Sequence, residues 1–165
     1  MLEDNALVLL VRTHGLSAVK KLDGIGPLLA RLTVGWVFVG TGWGKLQHLD
    51  KVTAFFTELG LPVPHAQAIL VGTTELVGGA FVLVGLLTRL VSLPLLATMV
   101  VALLTAKRAD IASANDLFGT VEWTYLVLFA LLALGGPGRF SVDRLLFGAR
   151  TLPRSVTPGI AAETV

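Results

Sequence analysis

Four long apolar runs alternate with short polar stretches. Residues 27–46 carry two charges, Arg31 and Lys45, near opposite ends of the run, and residues 66–88 carry only Glu75. Residues 90–106 are uncharged and bracketed by Arg89 and Lys107. Residues 117–135 have Glu122 near their start and end in Gly135-Gly136-Pro137-Gly138. At ~1.5 Å per residue such runs approach the ~30 Å of a bilayer core. Only helices or a closed barrel satisfy their backbone in hydrocarbon, so the pattern predicts four spanning helices. The fold class expected is all-α: an integral membrane four-helix bundle.

The connecting stretches predict interfacial helices on the N- and C-terminal sides of the bundle. Residues 5–22 are apolar on one side and carry Arg12, His14, Lys20 and Lys21. The acidic start (Glu3, Asp4) and the lack of a small-residue cleavage site favour an amphipathic helix over a signal peptide. Residues 50–59 read as a short capping helix with Val52, Phe55, Phe56 and Leu59 on its apolar side, stopped by Gly60 and the Pro62/Pro64 pair. Ser141 can cap a last short helix, with Asp143 in its first turn and Gly148 at its end. The expected division is 1–24 (interfacial segment), 25–148 (membrane domain) and 149–165 (a flexible or partner-bound tail).

Composition removes many alternatives. The chain is 54% hydrophobic and 15% charged, too little polar surface for a soluble domain of 165 residues. Without cysteine, thiolate metal sites, iron–sulfur ligation and covalent haem are excluded. His14, His48 and His65 lie outside the apolar runs, so buried bis-histidine haem ligation is excluded too, and no metal site is expected. A net charge of +2, without a basic aromatic stripe, excludes nucleic acid. Lys and Arg in the flanking segments divide eight to four, which puts both termini in the cytoplasm. Trp43, Trp123 and Tyr125 are expected at the opposite interface.

The candidate chemistry lies inside the spans. Arg31, Gly35, Phe38, Gly42 and Lys45 step by four and three, forming one stripe of the first span. Gly72, Glu75 and Gly79 form a stripe on the second, and the small residues permit close helix approach. A carboxylate at the depth of Glu75 costs roughly 2.5–3.5 kcal/mol, so it needs a partner. Placed symmetrically in the bilayer, Arg31 and Lys45 each lie roughly 10 Å from it, on opposite sides. Arg31 with one intervening water is the expected bridge, and a pair that only sets helix register is the plainer reading. Arg31 can alternatively pair with Asp143 beneath the fourth span. Lys45, Lys107, Arg108 and Glu122 are expected to gather at one rim. Trp36, mid-span, is a candidate for stacking on a ring-shaped ligand, with lipid or helix packing as the other reading.

These residues resemble a known pattern. Arg31 with Gly35, Gly42 with Lys45, Gly60-Leu61-Pro62, Glu75 before Gly78-Gly79, Gly85 with Thr88-Arg89, and 136–143 (Gly-Pro-Gly-Arg-Phe-Ser-Val-Asp) are similar to the DoxX family over residues 25–148. The resemblance implies a small four-helix inner-membrane protein. It also implies kinship with the membrane subunit of thiosulfate:quinone oxidoreductase, or with proteins that associate with redox or thiol-homeostasis partners. One departure is that Lys107-Arg108 stands where family members commonly carry histidine.

The leading expectation is therefore a membrane subunit of a quinone-linked redox assembly, in a bacterial-type inner membrane. Its bundle would offer a pocket of Glu75, Arg31, Lys45 and Trp36 to a quinone or a partner protein. Glu75 would be the proton-exchanging group, with no redox centre in the chain. The alternative is a structural subunit packed against a larger membrane complex, with Gly35, Gly42, Gly72, Gly79, Glu122 and Asp143 serving packing and charge. A small-solute permease is disfavoured by the small bundle and the absence of an internal repeat.

Overall fold

The structure, a computed structural model, describes residues 24–147. The described chain is helical, without strands: α1 (Ile25–Gln47), α2 (Leu49–Glu58), α3 (Pro64–Val84), α4 (Thr88–Leu104), a 3₁₀ turn (Arg108–Asp110), α5 (Ala114–Gly119), α6 (Val121–Gly135) and α7 (Val142–Phe147). The chain is an all-helical membrane bundle. α1 and α3 have the length and apolarity to cross a bilayer, and α4 and α6 are shorter apolar helices. The expectations for residues 5–22, Gly148 and the tail lie outside the described residues.

Turn chemistry sets the helix ends. Gly85 (φ 75°) and Leu87 (φ 47°) take left-handed backbone, which stops α3 at Val84 and restarts the chain at Thr88. Pro94 therefore falls inside α4. The fourth apolar run is broken by Thr120, whose extended backbone separates α5 from α6 and whose hydroxyl accepts from the Trp123 amide at 3.2 Å. Ser113 and Asp116 form a reciprocal capping box on α5. Ser141 caps α7, accepting from the Arg144 amide at 3.3 Å.

The spans pack as two tight pairs, α1 with α3 and α4 with α6. Gly35, Gly42 and Gly79 make the first pair possible. A Cβ on Gly35 would stand 2.8 Å from the Leu83 backbone, and one on Gly79 2.8 Å from the Val39 nitrogen. Van der Waals packing of this kind replaces the hydrophobic drive that lipid removes. The two pairs meet over Val34, Phe38, Val82, Leu95 and Phe129. Phe38 stands edge-on to both Phe129 (centroids 4.8 Å) and Tyr125 (5.3 Å), each contact worth about 0.5–1.5 kcal/mol beyond area. Leu70, Leu90, Leu134 and Trp36 face outward, toward hydrocarbon.

Because the spans alternate in direction, one end of the bundle gathers the start of α1, the turn between α3 and α4, and residues 135–143. The other end gathers α2, the 3₁₀ turn and α5. Charge follows the same division: Arg31, Arg89, Arg139 and Arg144 at the first end, Lys45, Lys51, Lys107 and Arg108 at the second.

Candidate functional site

Helix register decides which groups meet. Gly35 lies against Leu83, Val39 against Gly79, and Gly42 against Leu76 and the Gly72 carbonyl. In this antiparallel register Arg31 is level with Leu87 and Lys45 with Thr73. At 1.5 Å per residue, Arg31 stands roughly 18 Å along the axis from Glu75, and Lys45 only about 3 Å. Lys45 accordingly donates to Glu75 Oε2, while Glu75 is 2% exposed. The symmetric placement expected from the sequence is corrected: Lys45 is the partner of Glu75 and Arg31 is not. The reason is that glycine contacts slide α3 along α1 by roughly a turn from equal-depth alignment.

The pair stands on the wall of a cavity of about 950 Å³. α1, α3, α4 and α6 all contribute to its lining toward the second end of the bundle, and α2 and the residue after it add Phe55, Phe56 and Leu59. Tyr125, Thr98 and Met99 line the far side, and Glu122 and Lys107 stand near its mouth. The walls are largely apolar, and part of the lining (Leu70, Val101, Val121) is itself outward-exposed, so the cavity reaches the lipid-facing surface. Glu122 Oε2 is shielded and lacks a hydrogen-bond partner among the described residues. Lys107 pairs loosely with Asp110 at 3.4 Å.

The first end is sealed by a different polar network. Arg31, 2% exposed, donates to the carbonyls of Pro137 (2.7 Å) and Phe140 (2.8 Å). Asp143 accepts from the amides of Leu87 (2.6 Å) and Thr88 (3.2 Å), and its own amide donates to Gly85 O at 2.9 Å. Gly85 permits this closure, since a Cβ there would strike the Arg31 guanidinium and Ser141. Residues 136–143 thus latch α6 and α7 to α1 and to the turn between α3 and α4. The carbonyls and amides of irregular backbone, costly if unpaired near hydrocarbon, are satisfied by one cation and one carboxylate.

The structure therefore splits the residues singled out from the sequence. Glu75, Lys45 and Glu122 share the cavity, with Lys107 beside them. Arg31 and Asp143 belong to the latch; they are neighbours there but bond to backbone and not to each other. Trp36 is 73% exposed and points outward, which fits the lipid-packing reading and leaves it outside the cavity. It is one position along from Gly35, and ~100° of helical rotation carries it off the packed face. Tyr125, expected in an interfacial belt, turns inward onto Phe38. Its spacing of three from Glu122 was the available signal. Gly72 receives the Leu46 side chain, and Gly78 receives Leu95. Among the described residues no cluster of metal-ligating groups occurs.

An all-helical membrane bundle with a charged pair on the wall of an apolar cavity is the class these observations define. The chain belongs to the DoxX family, whose model matches residues 26–108, from α1 to the start of the 3₁₀ turn. It is similar to the inner membrane protein YqjF of Escherichia coli, with 36% identity over 131 residues, 78% of this chain and 97% of that protein. CatD of Bacillus subtilis, whose name proposes an oxidoreductase, is 33% identical over 125 residues, 74% of this chain and 88% of CatD. An uncharacterised membrane protein of Mycobacterium tuberculosis is 36% identical over 139 residues, 76% of this chain and 85% of the relative. No solved structure matches the chain at a significant level.

Proposed function

We propose that this protein is the membrane subunit of a quinone-linked redox assembly in a bacterial-type inner membrane, and that the cavity beside Glu75 receives the quinone head. The observation that carries the reading is the Lys45–Glu75 pair on the wall of a mostly apolar cavity of about 950 Å³. Such a site suits a lipid-soluble ring with few polar atoms. The lipid-facing part of its lining gives a membrane-dissolved molecule a way in. The names of CatD and YqjF lend support to the redox link and the inner membrane.

In this reading a bound quinone supplies the electron-accepting chemistry, and the electrons come from a partner. Lys45 holds negative charge at a ring oxygen, while Glu75 gives or takes a proton there. Arg31 has no part in the step. It keeps the opposite end closed, so that the cavity has depth on one side only. Both termini lie in the cytoplasm on the positive-inside count, which sets the cavity toward the outer leaflet.

The test is purification in native lipid, with assay for retained quinone and for turnover with the partner. Glu75→Gln should assemble normally and lose turnover. Unaltered turnover in an assembled variant would remove the catalytic role. One observation favours a second reading: Lys45 and Glu75 already satisfy each other, as a purely structural pair would. In that case the chain is an accessory subunit, and the variant would lose assembly and partner retention while no quinone is retained.

A further inference from the structure

We propose that the latch end of the bundle carries a binding site for the headgroup of an anionic phospholipid, separate from the cavity beside Glu75. A surface cleft of about 550 Å³ there is lined by Val84, Arg139, Phe140, Ser141, Arg144 and Leu145. Arg139 and Arg144 are exposed, and their guanidinium groups make no hydrogen bond or ion pair among the described residues. Asp143, the carboxylate between them, is already spent on the Leu87 and Thr88 amides. Among the described residues the cleft therefore presents two cations with no uncommitted acid beside them.

Its position selects the occupant. α3 ends at Val84, α4 begins at Thr88 and α6 ends at Gly135, so the arginines stand where the apolar helices stop and phosphate groups begin. Phe140 and Leu145, 60% and 84% exposed, offer apolar surface beside the cations. A phospholipid matches both features at once: phosphate against the arginines, glycerol and upper acyl chain against the phenyl and leucyl side chains. An extra negative charge on the headgroup distinguishes anionic lipid from zwitterionic, and each arginine close to such a surface contributes roughly fivefold in preference.

The experiment is reconstitution of the full chain in discs of equal phosphatidylglycerol and phosphatidylcholine, followed by native mass spectrometry of the lipids retained. The wild type should retain phosphatidylglycerol in roughly twenty-fold excess. Arg139→Gln/Arg144→Gln should bring retention near parity. Lys51→Gln/Arg108→Gln, which removes exposed cations from the opposite end, should leave the excess unchanged. Parity in the wild type overturns the proposal, and so does an excess that survives the double arginine variant. An equal fall in the opposite-end variant overturns it as well, by showing a diffuse charge effect. Should the arginine variant fail to fold, the wild-type ratio and the opposite-end variant decide between these outcomes.

Discussion

Gly42 on α1 runs directly against the carbonyl of Gly72 on α3, close enough that a Cβ on Gly42 would stand 2.8 Å from that oxygen. The antiparallel register this contact helps to set puts Gly42 level with Leu76 and Lys45 level with Thr73, two residues from Glu75. Gly42→Ala should therefore separate the pair as well as the backbones. Overpacking of a close helix contact costs about 1–3 kcal/mol. Thermal unfolding in detergent should show that loss, while Gly40→Ala, where nothing lies within 4 Å, should stay within about 0.5 kcal/mol of wild type.

The Lys45–Glu75 pair should behave asymmetrically under mutation. Lys45→Met leaves a buried carboxylate without its cation, a change that costs about 3–5 kcal/mol for fully buried pairs and less here because the lysine is 30% exposed. Lys45→Met/Glu75→Gln removes both charges and should recover a large part of the loss. A double-mutant cycle on unfolding midpoints checks this. Additive losses would mean that the two groups do not interact.

Arg31 should prove essential to the closed end and irrelevant to the chemistry of the cavity. Arg31→Gln cannot reach both Pro137 O and Phe140 O, and each charged hydrogen bond contributes about 1.5–3 kcal/mol. The expected outcome is faster proteolysis or amide exchange in residues 136–144. Quinone retention, measured in the variant that remains folded, should be unchanged. Loss of retention with an intact latch would return Arg31 to the site.

Part of this arrangement is legible in the sequence and part is not. Span stripes were readable because the steps of three and four repeat: Arg31, Gly35, Phe38 and Gly42 all turn inward, as do Gly72, Glu75 and Gly79. The need of Glu75 for a partner followed from the cost of a carboxylate in hydrocarbon. Which cation answers it did not follow, because a stripe fixes the face of a helix and not its height. A slip of roughly 7 Å, a little over one helical turn, moves Arg31 away and Lys45 into place. Trp36 shows the converse: its depth was apparent, but its direction depends on where Gly35 packs. The latch motif at 136–143 was visible as a pattern, yet its bonds to Arg31 and to the turn at Gly85 span over fifty residues and are tertiary facts.

Asp116 supplies a pH-dependent prediction away from the spans. It accepts from the hydroxyl (2.9 Å) and amide (2.8 Å) of Ser113 and from the Ala112 amide (3.2 Å). The Ser113 hydroxyl bond first, then the two amides, hold its carboxyl below the usual value of 3.8. A depressed pKa in the folded state means that its contribution is fully present above the unfolded value. That contribution fades as pH falls through the lower folded value, so the window lies below about pH 4. Amide exchange at Ala112 and Ser113 should therefore be protected at neutral pH and lose protection below that window. In Asp116→Asn the protection should be weak at every pH, because the amide side chain accepts these bonds without a charge. The helix α5 is only six residues long and depends on this cap, so fraying there should loosen the approach to Thr120 and α6. A wild type whose exchange at these two amides follows only the intrinsic pH dependence would show that the capping carboxylate does not hold α5.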